Sequence, residues 1–418
     1  MSGAPPAATV RPAVTGRPPA TGEPAVTGEY VVDALAALAR VPSAVPLGSR
    51  TLIEPDDPIL VRYVQDHLRP AFLATGATDV IDLPANQFAV RFGDGDGPTL
   101  ALMAYTPTQH HNLMTDPWSG RIRTPIELGV DEPCLFGQGV SQNKAHQACL
   151  LDLARWLVAE RAELHGTLLL CVNNEGRSSH DCSRAILDAL PRRPDLVVQL
   201  FCTGFEVSLG NRGRVDVIVD VQGRAAHSSN PPDGGPGNGR VIDIVADAVV
   251  RLRELDAVVR ARAEHPELGR EQVVPYLVSY EPLAPHTLPA SARITVDRRL
   301  LPGTDPAQAA AEIAEALAGL EGCQVRPGVT MLPAYLPPER REVLGALDAA
   351  VRERFGESRH GFYGGSFDAG GPSERGIPTV MFGVPAEGDL LGDDFVRLSA
   401  VRDEAAVLRD TVTRFLRK

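Results

Sequence analysis

The chain has 418 residues, of which 44% are hydrophobic and 22% charged, and its net charge is −12. That length suits about two or three domains with a large buried core, and the composition is that of a soluble globular protein. The acidic balance excludes the dominant basic face that nucleic acid or an anionic membrane would require, so neither is expected as a partner.

Residues 1–28 are rich in Pro, Ala, Thr and Gly and carry an imperfect repeat, Pro12–Gly16, Pro18–Gly22 and Pro24–Gly28. Such a segment buries too little apolar surface to offset its ordering entropy and is expected to be a disordered tail. It lacks a charged region followed by an apolar core, so no secretory signal is expected. From Tyr30 the apolar spacing becomes helical, and a second helix is expected over Pro58–Leu73. Strands are expected at Phe88–Phe92, Thr99–Ala104, Thr167–Val172 and Leu196–Cys202, with a helix over Asn143–Arg161. Strands alternating with helices indicate a sheet covered on both faces.

At Arg214 the character changes. Val215, Val217, Val219 and Val221 alternate as one face of a half-buried strand. A helix (Val241–Leu255), two strands (Val273–Tyr280, Ala292–Leu300) and a helix (Pro306–Leu320) follow, in the order of a small α+β sandwich. After Val329 come a helix over Pro338–Phe355, a glycine-rich loop, the strand Thr379–Phe382 and a helix over Asp403–Leu416. The fold class is therefore α/β: a mixed-sheet domain with helices on both faces, split into 29–212 and 329–418, around an inserted α+β domain at 213–328. No apolar run approaches the about 18 residues that span a bilayer. The six cysteines form no CxxC pair and are expected to be reduced thiols in a cytoplasmic protein. Cys171 and Cys182 lie in no recognised nucleophile setting. The Ala-, Arg- and Pro-rich usage is that of a high-GC bacterium.

Several short motifs occur in a definite order. They are Asp116-Pro117-Trp118-Ser119-Gly120, Phe136-Gly137-Gln138-Gly139 leading to Gln142-Asn143-Lys144, and Asn173-Asn174-Glu175-Gly176. Further on are Gly223 to His227-Ser228-Ser229, Thr287-Leu288-Pro289 to Asp297-Arg298-Arg299, Gly364-Gly365-Ser366-Phe367-Asp368, and Gly376-Ile377-Pro378-Thr379. Together they resemble the zinc amidohydrolases that include acetylornithine deacetylase, succinyl-diaminopimelate desuccinylase, carboxypeptidase G and the aminoacylases. The likeness covers nearly the whole chain after the tail.

A co-catalytic zinc pair needs nitrogen or oxygen donors at about 2.0–2.2 Å, and its ions, about 3.5–4 Å apart, need an anionic bridge. The resemblance implies which positions should supply them. Here the first histidine is Tyr105, its companion aspartate Pro107, the bridging aspartate Gln142 and the general-base glutamate Asn174, which cannot take a proton from water. Glu175 is retained, Glu206 is a candidate for the next carboxylate, and the last histidine falls near Ala400. No metal ligands and no cofactor are expected, the two-zinc centre being absent. His110, His111, His146 and His180 with Glu175 form an alternative metal set, but adjacent residues on an extended chain point apart. A polar pocket of Tyr105, Gln142, Asn174 and Glu175 is the preferred reading, with Glu175 as acid or base.

The same resemblance assigns His227 to stabilising a tetrahedral oxyanion in the twin subunit. It assigns Arg299 to a substrate carboxylate, His286 to substrate contact, and Gly364, Gly365 and Ser366 to a loop lining the pocket. The expected function is action on the amide bond of an amino-acid derivative or small peptide without the usual zinc pair, by hydrolysis, acyl transfer or amide formation. The alternatives are a non-catalytic ligand-binding relative and a conventional zinc enzyme with rearranged ligands. A homodimer is expected through the inserted domain, with the strand and helix of Arg214–Leu255 at its interface.

Overall fold

The apolar runs of the larger domain build a nine-stranded sheet. The structure, a computed structural model, describes residues 27–44, 53–93, 95–108, 114–175, 179–232, 240–262, 264–388 and 392–417; most of the N-terminal repeat lies outside them. Across the sheet the strands run Val80–Leu83, Gln87–Phe92, Thr167–Asn173, Thr99–Tyr105, Leu196–Leu200, Thr379–Phe382, Val207–Asn211 and Ala334–Tyr335, with His360–Tyr363 also pairing Val207–Asn211. The four at the centre are parallel and buried along their whole length, as a sheet covered on both faces requires.

Alternation decides which helix each strand residue meets. Leu100, Leu102, Leu168 and Leu170 share a core with helices Tyr30–Ala39, Ala145–Ala159 and Leu398–Leu416. Ala101, Met103, Leu169 and Cys171 pack on the opposite side with Ile186 of helix Asp181–Ala189. The helix from Pro58 contains a π-helical stretch, Tyr63–Leu68, before continuing as Arg69–Ala74. Pro70 explains it, because a proline has no N–H to close the turn below it.

The inserted domain carries a four-stranded antiparallel sheet in the order Gln272–Glu281, Ser291–Leu300, Gly213–Gln222, Cys323–Met331. Helices Val241–Arg260 and Pro306–Ala316 cover the face bearing Val215, Val217, Val219 and Val221. The element order is the expected one. The strand expected at a subunit interface is nevertheless central, paired on both sides, and has no open backbone edge. The edge strands are Gln272–Glu281, with Val274, Tyr276, Leu277 and Val278 exposed, and Cys323–Met331. Among the described residues no helix is long and apolar enough to cross a membrane.

Candidate active site

The parallel strands Thr99–Tyr105 and Thr167–Asn173 end side by side, with Tyr105 opposite Asn173. The Tyr105 ring packs edge-on against Phe367 at 5.4 Å and lies 6.3 Å from Phe201. Burial holds its phenol well above the ordinary range, so it is neutral and apolar in character. Asn174 is fully committed to local structure. Its Oδ1 accepts from Thr106 Oγ1, its Nδ2 donates to the carbonyls of Ala85 (3.1 Å) and Asn86 (2.6 Å), and its backbone N–H donates to Gln87 Oε1 at 3.0 Å. Ala85 and Asn86 have φ of 62° and 57°, so the amide pins a strained turn. Glu175 accepts the backbone N–H of Ser179 on Oε1 and that of Cys182 on Oε2, each at 3.1 Å. It serves helix Asp181–Ala189 as an N-terminal cap. Gln142 is buried in the π-turn Val140–Lys144.

Asp394 and several partnerships at this floor escape sequence reasoning. Asp394 accepts from Gly139 N (2.6 Å), Ser141 N (3.2 Å) and Ser141 Oγ (2.7 Å); burial raises its pKa to about 6. Gly139 has φ +80°, and a Cβ there would meet Thr108 Oγ1 at 2.4 Å, so only glycine fits this turn. Lys144 donates to the Val41 carbonyl at 2.8 Å and sits 4.4 Å from the Trp118 ring centroid; burial lowers its pKa to about 7. His146 Nδ1 lies 2.8 and 3.0 Å from the two Glu404 oxygens. His180, at φ +69°, accepts the Leu332 N–H on Nε2 at 2.7 Å, and its Nδ1 is 3.9 Å from Asp368 Oδ1. Burial lowers His180 to about 4; burial and then Glu175 raise Asp368 well above the carboxylate range.

The residues at this floor do not fit a pair of zinc ions. Its phenol and two amides are neutral, and the Asn174 amide already has its hydrogen-bond partners. His146 and His180 each hold a partner of their own, and His110 and His111 lie outside the described residues. Among the described residues no group of three or more His, Cys, Asp or Glu side chains is placed to hold a metal. Ala400, where the last histidine was expected, is buried in the core inside helix Leu398–Leu416. The short strand Phe395–Arg397, which pairs with Cys134–Phe136, starts that helix earlier than expected. Glu206 packs against Gly361 beside strand His360–Tyr363.

Two other groups of expected residues come together elsewhere. At the junction of the domains Arg299 Nη1 donates to Ser366 Oγ at 3.1 Å and Nη2 to Asp297 at 2.7 Å. Arg298 turns the other way, buried against Glu271 and Glu312. Gly364 offers its carbonyl to Arg212 Nε at 2.8 Å, and a Cβ on Gly365 would strike the Tyr363 ring at 2.5 Å. On a two-stranded ribbon His227 pairs with Thr287. Its ring lies 6.1 Å from that of His286, and its Nδ1 bonds Ser229 Oγ at 2.7 Å. Both histidines are exposed. The expected site residues thus form three groups: the strand-end floor, the domain junction and the ribbon.

Residues 209–321 match the peptidase dimerisation domain. The chain is 24% identical over 140 residues to acetylornithine deacetylases of Salmonella arizonae and Klebsiella pneumoniae, a match covering 34% of this chain. That match spans only 35% of each of those proteins, about a third of their length. Solved structures are similar over almost the whole chain. The M20 family metallo-carboxypeptidase Sso-CP2 of Sulfolobus solfataricus has a TM-score of 0.69 at 15% identity, covering 93% of this chain and 99% of its own. Human carnosine dipeptidase 1 has 0.68 at 12%, covering 92% and 96%. The aminopeptidase PepT of Bacillus cereus has 0.64 at 16%, covering 92% and 97%. At these identities the likeness concerns the fold.

Proposed function

We propose that the chain is a member of the zinc metallopeptidase and amidohydrolase family, and that it acts on the amide bond of an amino-acid derivative or small peptide without a two-zinc centre. The substrate lies between the two domains. The observation that carries the metal-independent part is the commitment of Asn174 and Glu175: one pins the 85–86 turn, the other caps a helix. Neither is placed to activate water on a metal.

The remaining chemistry is oxyanion stabilisation and orientation. Arg299, steadied by Asp297 and Ser366, offers a guanidinium fork to a substrate carboxylate. The Gly364–Gly365 loop allows close backbone approach. With Nδ1 held at Ser229, the Nε2 of His227 faces outward on its ribbon and donates to the tetrahedral oxyanion, with His286 beside it. Hydrolysis, acyl transfer and amide formation share that intermediate, so the same donors serve each.

Since His227 is exposed, the twin subunit presents it. The chain forms a homodimer through the inserted domain, using the open edge of Gln272–Glu281 and the outer face of helix Val241–Arg260, where Ile242, Val250 and Val258 are exposed. With a substrate found by screening N-acyl amino acids and dipeptides, His227→Ala lowers turnover by about a hundredfold. Unchanged turnover sinks the assignment.

A second reading is a ligand-binding protein without turnover. The same commitment of Glu175 to a helix cap favours it, since that leaves the floor without a free general base. Ligand-dependent thermal stabilisation with no product formed distinguishes it.

A further inference from the structure

A cavity of about 460 Å³ opens between the domains, lined by Arg212, Arg260, Glu267, Arg270 and Gln272 on one side and Tyr363 with Gly364 on the other. Three of its charged residues have ionic partners. Arg260 Nε pairs with Asp256 at 2.6 Å, Arg270 with Glu264 at 2.8 Å, and Glu267 with Arg341 at 3.0 Å and with the Tyr335 hydroxyl at 2.7 Å. Arg212 differs. It donates only to carbonyls, those of Gly364 (2.8 Å) and Arg270 (2.9 Å), and among the described residues no carboxylate lies within ion-pair reach of it. Burial, and then the nearby Arg299, press its pKa downward, against the more distant pull of Asp297, which is itself paired with Arg299. The two carbonyls fix the guanidinium plane without neutralising it, leaving a preorganised cationic fork at the cavity wall.

We propose that this cavity is an anion subsite, in which Arg212 binds a carboxylate or phosphate group of the substrate beside the one held by Arg299. Arg260 and Arg270 add to the positive field, and their pairing with Asp256 and Glu264 makes them the weaker contributors. Gln272 and the Tyr363 hydroxyl supply neutral hydrogen-bond partners. The Tyr363 ring also packs 5.4 Å from Phe201, which in turn contacts Phe367 and Tyr105, so the cavity adjoins the strand-end floor. A ligand held at Arg212 and reaching that floor carries an acidic group at one end. This deepens the proposed function and rests on it only for naming the ligand as substrate.

The test reads binding without turnover, so its failure leaves the proposed reaction standing, and a protein without measurable activity still tests the subsite. Inorganic phosphate and glutarate are titrated separately into the full chain by calorimetry, with N-acetylglycinamide as the uncharged control. At least one anion binds, Arg212→Gln weakens it at least about tenfold, and Arg212→Lys, which keeps the charge but not the fork, weakens it less. Arg184→Gln, which removes a guanidinium paired with Glu374 elsewhere, leaves binding unchanged. The tighter of the two anions identifies the acidic group. Should Arg212→Gln fail to fold, Arg212→Lys carries the comparison, with a loss of about threefold. Binding of neither anion, or binding indifferent to both Arg212 variants, overturns the proposal.

Discussion

The strand-end floor of the larger domain and the face it shares with the inserted domain treat polar side chains in opposite ways. On the floor, Asn174, Glu175, Asp394, Lys144 and Glu404 are buried and spend their hydrogen bonds on backbone turns and helix ends. At the junction and on the ribbon, Arg212, Arg299, His227 and His286 stay accessible and keep bonding capacity in reserve. The residues that resemble a family's catalytic apparatus by position hold backbone turns and a helix end. Those with room to meet a ligand lie a few elements away.

Four substitutions probe that contrast, from large effect to small. Asn174→Glu restores the family's general-base residue. It forces a longer, charged group into a filled, fully bonded site, and unfolding measurements should show a loss of at least about 3 kcal/mol. A stable, more active variant would break the comparison. Glu175→Ala strips two backbone N–H groups of their acceptor, and a loss of about 2 kcal/mol is expected in denaturant unfolding. A change near zero would return Glu175 to the list of unburdened acids.

The third concerns pH. Burial lowers Lys144 from 10.5 to about 7, so between those values the unfolded chain binds more protons and stability rises with pH. That contribution is complete above 10.5 and is lost as pH falls through about 7. Asp394 works the other way. Raised from 3.8 to about 6, it contributes stability below 3.8 that is lost as pH rises through about 6. Together they set a shallow stability minimum between about 6 and 7. Lys144→Met should flatten the rise on the alkaline side in melting curves taken across pH; a rise that persists assigns it to other groups. Smallest is the stability effect of His227→Ala, within about 0.5 kcal/mol for an exposed residue. A marked destabilisation would make His227 part of the framework as well.

Much of the fold is legible because it rests on local pattern. The valines of strand Gly213–Gln222 announce a half-buried strand, and the apolar runs at Thr99 and Thr167 announce a doubly covered sheet. The short strands Arg121–Arg123, Cys134–Phe136 and Phe395–Arg397 carry too few residues to show a period. Strand Gly213–Gln222, expected at the subunit interface, is central in its sheet, because alternation reveals a strand's face but not its rank.

The site is less legible because its meaning lies in distant partners. The Asn174 amide is held by Thr106 and the carbonyls of Ala85 and Asn86, and His146 is fixed by Glu404. Glu175 looks like a ligand until Ser179 and Cys182 bring their N–H groups to it. Arg212 sits beside Gly213, the residue that marks the domain boundary. Nothing in its neighbours along the chain shows that, among the described residues, no carboxylate comes within ion-pair reach of it.

The central claim is that the floor has exchanged metal chemistry for framework. It is tested most directly by measuring zinc in the purified chain after equilibration with excess zinc and removal of what is unbound. The account predicts far less than one ion per chain and melting behaviour unaltered by zinc or by a chelator. Two tightly held ions per chain, whose removal destabilises the protein and abolishes its activity, would contradict it.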